Sequence, residues 1–326
     1  MNRLKGCGGP PRSGSLPSID SPDPDDVSSR RPDRRPRTAA LLLRASRPAQ
    51  WTKNLFVVAP LLFGKAATEA GPAVRTLAAA VAFCGVASAL YLLNDVRDRE
   101  ADRAHPVKRH RPVASGELSI GAALLAAALL FSVSAALLAL AAPAALPWVG
   151  LYTAVTVLYS FGLKSVPLFD VFVVAAGFVL RVLSGSAAAG VAASHWLLLC
   201  TFFLALFLAL SKRRSELTQH GAAGRSSLRE VPAALVESFE NVTLGTTIVC
   251  YALYTVSPET VRWFGTDRLL VTVPIVVFGM FRWRLLETRG KGEDTTSDLL
   301  TDPGLLLTIL AWAIVCAAVI YLLPGR

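Results

Sequence analysis

The chain has 326 residues, of which 53% are hydrophobic and only 17% charged, with a formal net charge of +10. A soluble domain carries about a quarter charged residues, so water is not the main solvent here. The same balance excludes a disordered chain, a secreted disulfide scaffold and a small soluble enzyme. The five cysteines are widely spaced, with no CxxC pair, and read as small core hydrophobes.

Residues 1–40 are rich in Pro, Ser, Asp and Arg and have no apolar periodicity, which predicts a disordered cytoplasmic tail ahead of a transmembrane catalytic domain over 41–326. Hydropathy and Gly/Pro punctuation then predict nine spans, at 54–70, 74–95, 118–140, 144–162, 167–189, 194–212, 241–260, 268–284 and 303–323. The fold class expected is an all-α polytopic membrane protein, its helices bundled around a cytoplasm-facing cavity. With the N-terminus inside, 27 of the 33 Lys and Arg residues fall on the cytoplasmic side and five on the other. The positive-inside rule thus predicts a multi-pass inner-membrane protein whose long hydrophilic loops share the cytoplasmic face.

The densest polar signal closes the second span, at Asn94, Asp95, Asp98 and Asp102. At about 100° per residue these four oxygen-bearing side chains point to one side of a continuing helix. Clustered carboxylates at the rim of a hydrocarbon layer need a cation, and hard oxygen donors of this kind suit Mg²⁺ carrying a diphosphate. The bland reading is a solvated helix end paired to Arg97, Arg99 and Arg103. The loop that follows carries Lys108, Arg109 and Arg111 between two prolines, cations suited to a substrate with several phosphates or to anionic lipid headgroups. His105 and His110 have no partner at metal-ligand spacing and receive no ligand role.

Further polar groups gather at span ends: Gln50, Lys53 and Asn54 ahead of the first, and Tyr159, Ser160 and Lys164 at the fourth. Lys212, Arg213 and Glu216 close the sixth. Arg214 beside them reads as a flanking anchor. Asp170 and Arg181 share a face of the fifth span but lie about 16 Å apart along it, too far to pair. Ionised groups within a membrane usually face a cavity, or pair with other helices.

With NDxxDxxxD after the second of nine spans and large loops after spans two, six and eight, the chain resembles the UbiA superfamily of intramembrane prenyltransferases over roughly 45–323. Its stretches Arg47-Pro48-Ala49-Gln50-Trp51-Thr52-Lys53-Asn54, Tyr159-Ser160-Phe161-Gly162-Leu163-Lys164 and Lys212-Arg213 followed by Glu216 look most like the decaprenyl-phosphate phosphoribosyltransferase branch. Members acting on aromatic substrates carry a second aspartate-rich motif after the sixth span. This chain departs from that pattern, since 211–224 contains no aspartate.

The resemblance implies transfer of the 5-phosphoribosyl group from phosphoribosyl pyrophosphate to a polyprenyl phosphate, with Asn94, Asp95, Asp98 and Asp102 as catalytic and Mg²⁺-holding residues. The basic residues Lys53, Lys108, Arg109, Arg111 and Lys164 would neutralise the donor, Arg181 would grip the lipid phosphate and Asp170 a ribose hydroxyl. It implies a membrane and no nucleic acid as partner, and admits a homo-oligomer. Two other readings are an isoprenoid transfer from a prenyl diphosphate to an aromatic or other small acceptor, and a transporter with intramembrane charges along its path.

Overall fold

The computed structural model describes residues 38–162, 166, 168–220, 231–292 and 295–322. The predicted tail up to residue 37, and Lys164, lie outside them. All regular structure in the described residues is helical.

The chain enters through α1 (Thr38–Ala45), followed by a ten-residue 3-10 helix (Pro48–Val57) and the short α2 (Ala59–Phe63). Here the structure departs from the predicted first span. Pro60, at the start of α2, cannot donate the backbone hydrogen bond that would continue a helix, so 54–70 is broken. Next come α3 (Ala70–Arg97) and α4 (Arg99–Ala104), then α5 (Pro112–Ser115) and α6 (Ile120–Ala141), the last capped by Ser119, whose Oγ accepts from the Ala122 N–H at 3.2 Å. After them run α7 (Leu146–Phe161), α8 (Phe169–Ala189), α9 (His195–His220) and α10 (Ala233–Val256). The chain ends in α11 (Pro258–Phe264), α12 (Val273–Thr288), α13 (Thr295–Thr301) and α14 (Pro303–Ala317).

Among the described residues seven helical segments are long and apolar enough to cross a membrane, and they correspond to seven of the predicted spans. The remaining long helix, α10, stands where 241–260 was predicted. Glu237, Glu240 and Asn241 lower its mean hydropathy, so it is not one of the seven. Helices α3 and α8 form the centre: 56% and 61% of their most apolar stretches are buried, against 22% for α6. Exposed Leu125, Leu129, Val133 and Leu140 on α6 make the outer, lipid-facing surface. Inside, Phe83, Tyr152, Leu180 and Val57 pack into one core where α3, α7, α8 and the 3-10 helix meet.

Candidate active site

Helix α3 does not stop cleanly at the acidic motif. Asp98 leaves α-helical geometry, yet its N–H still donates to the Asn94 carbonyl at 2.8 Å, and the Asp102 N–H donates to the Asp98 carbonyl at 2.8 Å. The ladder thus carries over into α4 and keeps the predicted rail together. Asp95 and Asp102 are buried at 2% and 4% exposure, while Asn94 and Asp98 are half-buried.

Two buried carboxylates this close require cations. Arg111 supplies one, its Nη1 lying 3.2 Å from Asp95 Oδ1 and 2.7 Å from Asp102 Oδ2. Arg47 supplies the second, with Nη2 2.5 Å from Asp95 Oδ1 and its guanidinium 4.8 Å from the centre of the Tyr91 ring. Arg47 sits at φ 53°, a left-handed conformation costing a non-glycine residue about 1 kcal/mol. In the sequence Arg47 stands out only as the first residue of the stretch Arg47 to Asn54. Its signal was the spacing Arg47, Gln50, Lys53, one every three residues.

Lys108 and Arg109 lie in a 3-10 turn (Lys108–His110), with Lys108 half-buried and Arg109 exposed. His105 folds that loop, its Nδ1 accepting from the Val107 N–H at 3.2 Å. Arg97 donates to the Ser160 carbonyl and stacks 4.6 Å from the Phe161 ring centre, joining the end of α3 to the end of α7. Tyr159 and Ser160 are half-buried at the end of α7. Arg213 meets Asp170 at 2.5 Å with both side chains buried, and also pairs with Glu216; Lys212 is 4.0 Å from Glu216. Asp170 lies in the first turn of α8, where the helix dipole favours an anion. Gln50 accepts from Thr296 Oγ1 at 3.2 Å, which joins α13 to the 3-10 helix. Arg214 is no flanking anchor. It turns into the bundle, 2.7 Å from both Glu240 and Glu287, because those two carboxylates face it from α10 and α12.

Arg181 and Asn54 stand apart from the aspartates. The Arg181 guanidinium lies 5.4 Å from the centre of the Phe83 ring, and Phe83 precedes Asp95 by 12 residues of α3, about 18 Å of rise. Arg181 donates to Asn54 Oδ1 at 2.8 Å, the Gly177 carbonyl at 2.9 Å and Tyr152 Oη at 3.0 Å. Its contact with α3 thus falls about three turns before Asp95.

As the side chains stand, no three Asp, Glu, His or Cys groups among the described residues converge as a metal-binding cluster. In this arrangement guanidinium groups lie on Asp95 and Asp102. The donor chemistry still fits a hard divalent ion: every candidate atom is an oxygen, and Asp95 and Asp102 already share one cation.

Comparison with known proteins places the chain. Residues 57–301 match the UbiA prenyltransferase family. The chain belongs to that family. It is 34% identical over 295 residues to a decaprenyl-phosphate phosphoribosyltransferase of Corynebacterium glutamicum, covering 87% of each chain. It is likewise 34% identical to a protein of that name from Mycolicibacterium smegmatis, over 86% of this chain and 92% of the relative. A UbiA homolog from Archaeoglobus fulgidus, solved bound to GPP and Mg²⁺, superposes with a TM-score of 0.64 at 19% identity, covering 86% of this chain and 96% of that one. The same homolog bound to Cd²⁺ gives a TM-score of 0.61. The membrane-embedded helical bundle is thus the UbiA fold.

Proposed function

We propose that this UbiA-family protein transfers the 5-phosphoribosyl group of phosphoribosyl pyrophosphate to a polyprenyl phosphate, with decaprenyl phosphate as acceptor, and releases diphosphate. The observation that carries this reading is the pair of buried carboxylates, Asp95 and Asp102, held at the end of α3 with Arg47 and Arg111 upon them. Such an arrangement suits a polyanion brought in with a divalent cation: the ion takes the carboxylates and the arginines turn to phosphate. The names of the relatives from Corynebacterium and Mycolicibacterium supply the group transferred and the acceptor.

Mg²⁺ held by Asp95, Asp98 and Asp102, with Asn94 in support, would neutralise the leaving diphosphate. Arg47, Lys53, Lys108, Arg109, Arg111 and Lys164 would bind the donor's phosphates. Asp170, Arg213 and Glu216, with Tyr159, Ser160 and Lys212, would orient the ribose and the acceptor. An oxygen of the lipid phosphate attacks C1 of the ribose as the C1–O bond to diphosphate breaks, the electron pair leaving with diphosphate. The acceptor is already an anion, so the step needs no strong general base; orientation and charge stabilisation carry the rate. The charge distribution supports a cytoplasmic mouth, into which the soluble donor enters while the lipid arrives from the bilayer.

The test offers purified protein two donor and acceptor pairs: phosphoribosyl pyrophosphate with decaprenyl phosphate, and a prenyl diphosphate with an aromatic acceptor. Product from the first pair alone supports the reading. Product from the second alone replaces it with isoprenoid transfer.

A further inference from the structure

A 3-10 helix rarely runs beyond three or four residues, yet the one over Pro48–Val57 has ten. In an α-helix, residues three apart drift by about 60° around the axis; with three residues per turn they eclipse. Tight winding therefore sorts this segment into persistent rows. One row runs Gln50, Lys53 and Phe56, including the amide joined to Thr296, and Arg47, whose guanidinium lies on Asp95, immediately precedes the helix at its left-handed N-cap. A second runs Trp51, Asn54 and Val57 and faces the bundle. Trp51 Nε1 donates to Ser88 Oγ at 3.0 Å and Asn54 Nδ2 to Cys84 Sγ at 3.2 Å, while the Val57 carbonyl packs so closely on Gly185 that a Cβ there would lie 1.9 Å from its oxygen.

Arg181 grips the middle of this bundle-facing row through Asn54 Oδ1. It is 5% exposed, and no carboxylate among the described residues pairs with it. Its charge is accommodated by the Gly177 carbonyl, Tyr152 Oη and the rings of Phe83, Tyr152 and Phe178, with centroids 4.6 to 5.4 Å away. A guanidinium so fully engaged is poorly placed to take a substrate phosphate.

We infer that Arg181 is a positioning residue: with Gly185 it latches Asn54 and Val57 so that the segment stays in 3-10 winding and holds Gln50, Lys53 and the N-cap Arg47 in register with Asp95. The kinetic part of the inference rests on the proposed phosphoribosyl transfer; the structural part does not.

The test uses full-length protein in detergent and reads amide hydrogen exchange over 50–57 together with KM for each substrate. Arg181→Met and Asn54→Leu should speed exchange in that segment by about tenfold or more while leaving α6 unchanged. Asn54→Asp, which keeps an acceptor for Arg181, should stay near wild type. Gly185→Ala, which pushes Val57 away without touching Arg181, should behave like Arg181→Met. In active protein the same loosened variants should raise KM for phosphoribosyl pyrophosphate and leave KM for the lipid unchanged. Unchanged exchange in Arg181→Met and Gly185→Ala would overturn the latch. A rise in lipid KM alone would return Arg181 to the role of a lipid-phosphate ligand. If wild-type protein transfers no phosphoribosyl group, the proposed function fails while the exchange comparison still decides the latch.

Discussion

Arg47 reaches Asp95 across 48 positions of sequence, its Nη2 2.5 Å from Oδ1. The pair joins the 3-10 helix to the end of α3 and places one fixed cation on a buried carboxylate. Asp95→Asn should reduce phosphoribosyl transfer by roughly 10²–10³-fold, the cost of losing a preorganised charge at the reacting group, with the protein still monodisperse in detergent. Arg47→Lys should raise donor KM, since an ammonium cannot reproduce a planar guanidinium stacked on Tyr91.

Arg111 bridges Asp95 and Asp102, so on this account it competes with a divalent cation for the same oxygens. Arg111→Ala should lower the Mg²⁺ concentration needed for half-maximal rate and raise KM for the donor. A Mg²⁺ titration of wild-type and variant protein checks both; a higher Mg²⁺ requirement in the variant would count against the exchange.

The buried Asp170 and Arg213 pair clamps α8 to α9. Asp170→Asn leaves Arg213 with less compensation, and breaking a buried pair costs about 3 kcal/mol. Thermal inactivation in detergent should occur several degrees lower; unchanged stability would contradict the clamp.

Asp302 caps α14, accepting from the Leu305 N–H at 2.8 Å, and receives two hydrogen bonds from Arg282, at 2.6 and 3.0 Å. Those partners, the Arg282 hydrogen bonds foremost, hold its carboxyl down at about 2, from an ordinary 3.8. Its stabilising effect is therefore fully present above the unfolded value and is lost as pH falls from about 4 towards 2. Melting curves between pH 5 and 2 should show wild type losing stability more steeply than Asp302→Asn.

Much of this was legible in the sequence because the bilayer imposes strict rules. Long apolar runs located α3, α6, α8 and α14, and the spacing of Asn94, Asp95, Asp98 and Asp102 placed them on one rail. Pairings between distant helices were not legible. Nothing local in Arg47 or Arg213 says that each meets a buried aspartate from another helix, and Arg214 looks like an interfacial charge until α10 and α12 pack beside it. The 54–70 run looked like a span by composition, whereas its winding depends on contacts with Ser88, Cys84, Gly185 and Arg181. The partners of Arg181 were hidden too: the eleven-residue interval from Asp170 gave a separation, while only the packing shows its guanidinium on Asn54, Tyr152 and the Phe83 ring.

Metal-dependent phosphoribosyl transfer at Asp95, Asp98 and Asp102 is open to one direct assay. Purified protein incubated with Mg²⁺, decaprenyl phosphate and ribose-labelled phosphoribosyl pyrophosphate should move label into the organic phase, with the transfer abolished by EDTA and by Asp98→Asn. Transfer undiminished by either control, or no labelled lipid from folded protein across several polyprenyl phosphates, would contradict the account.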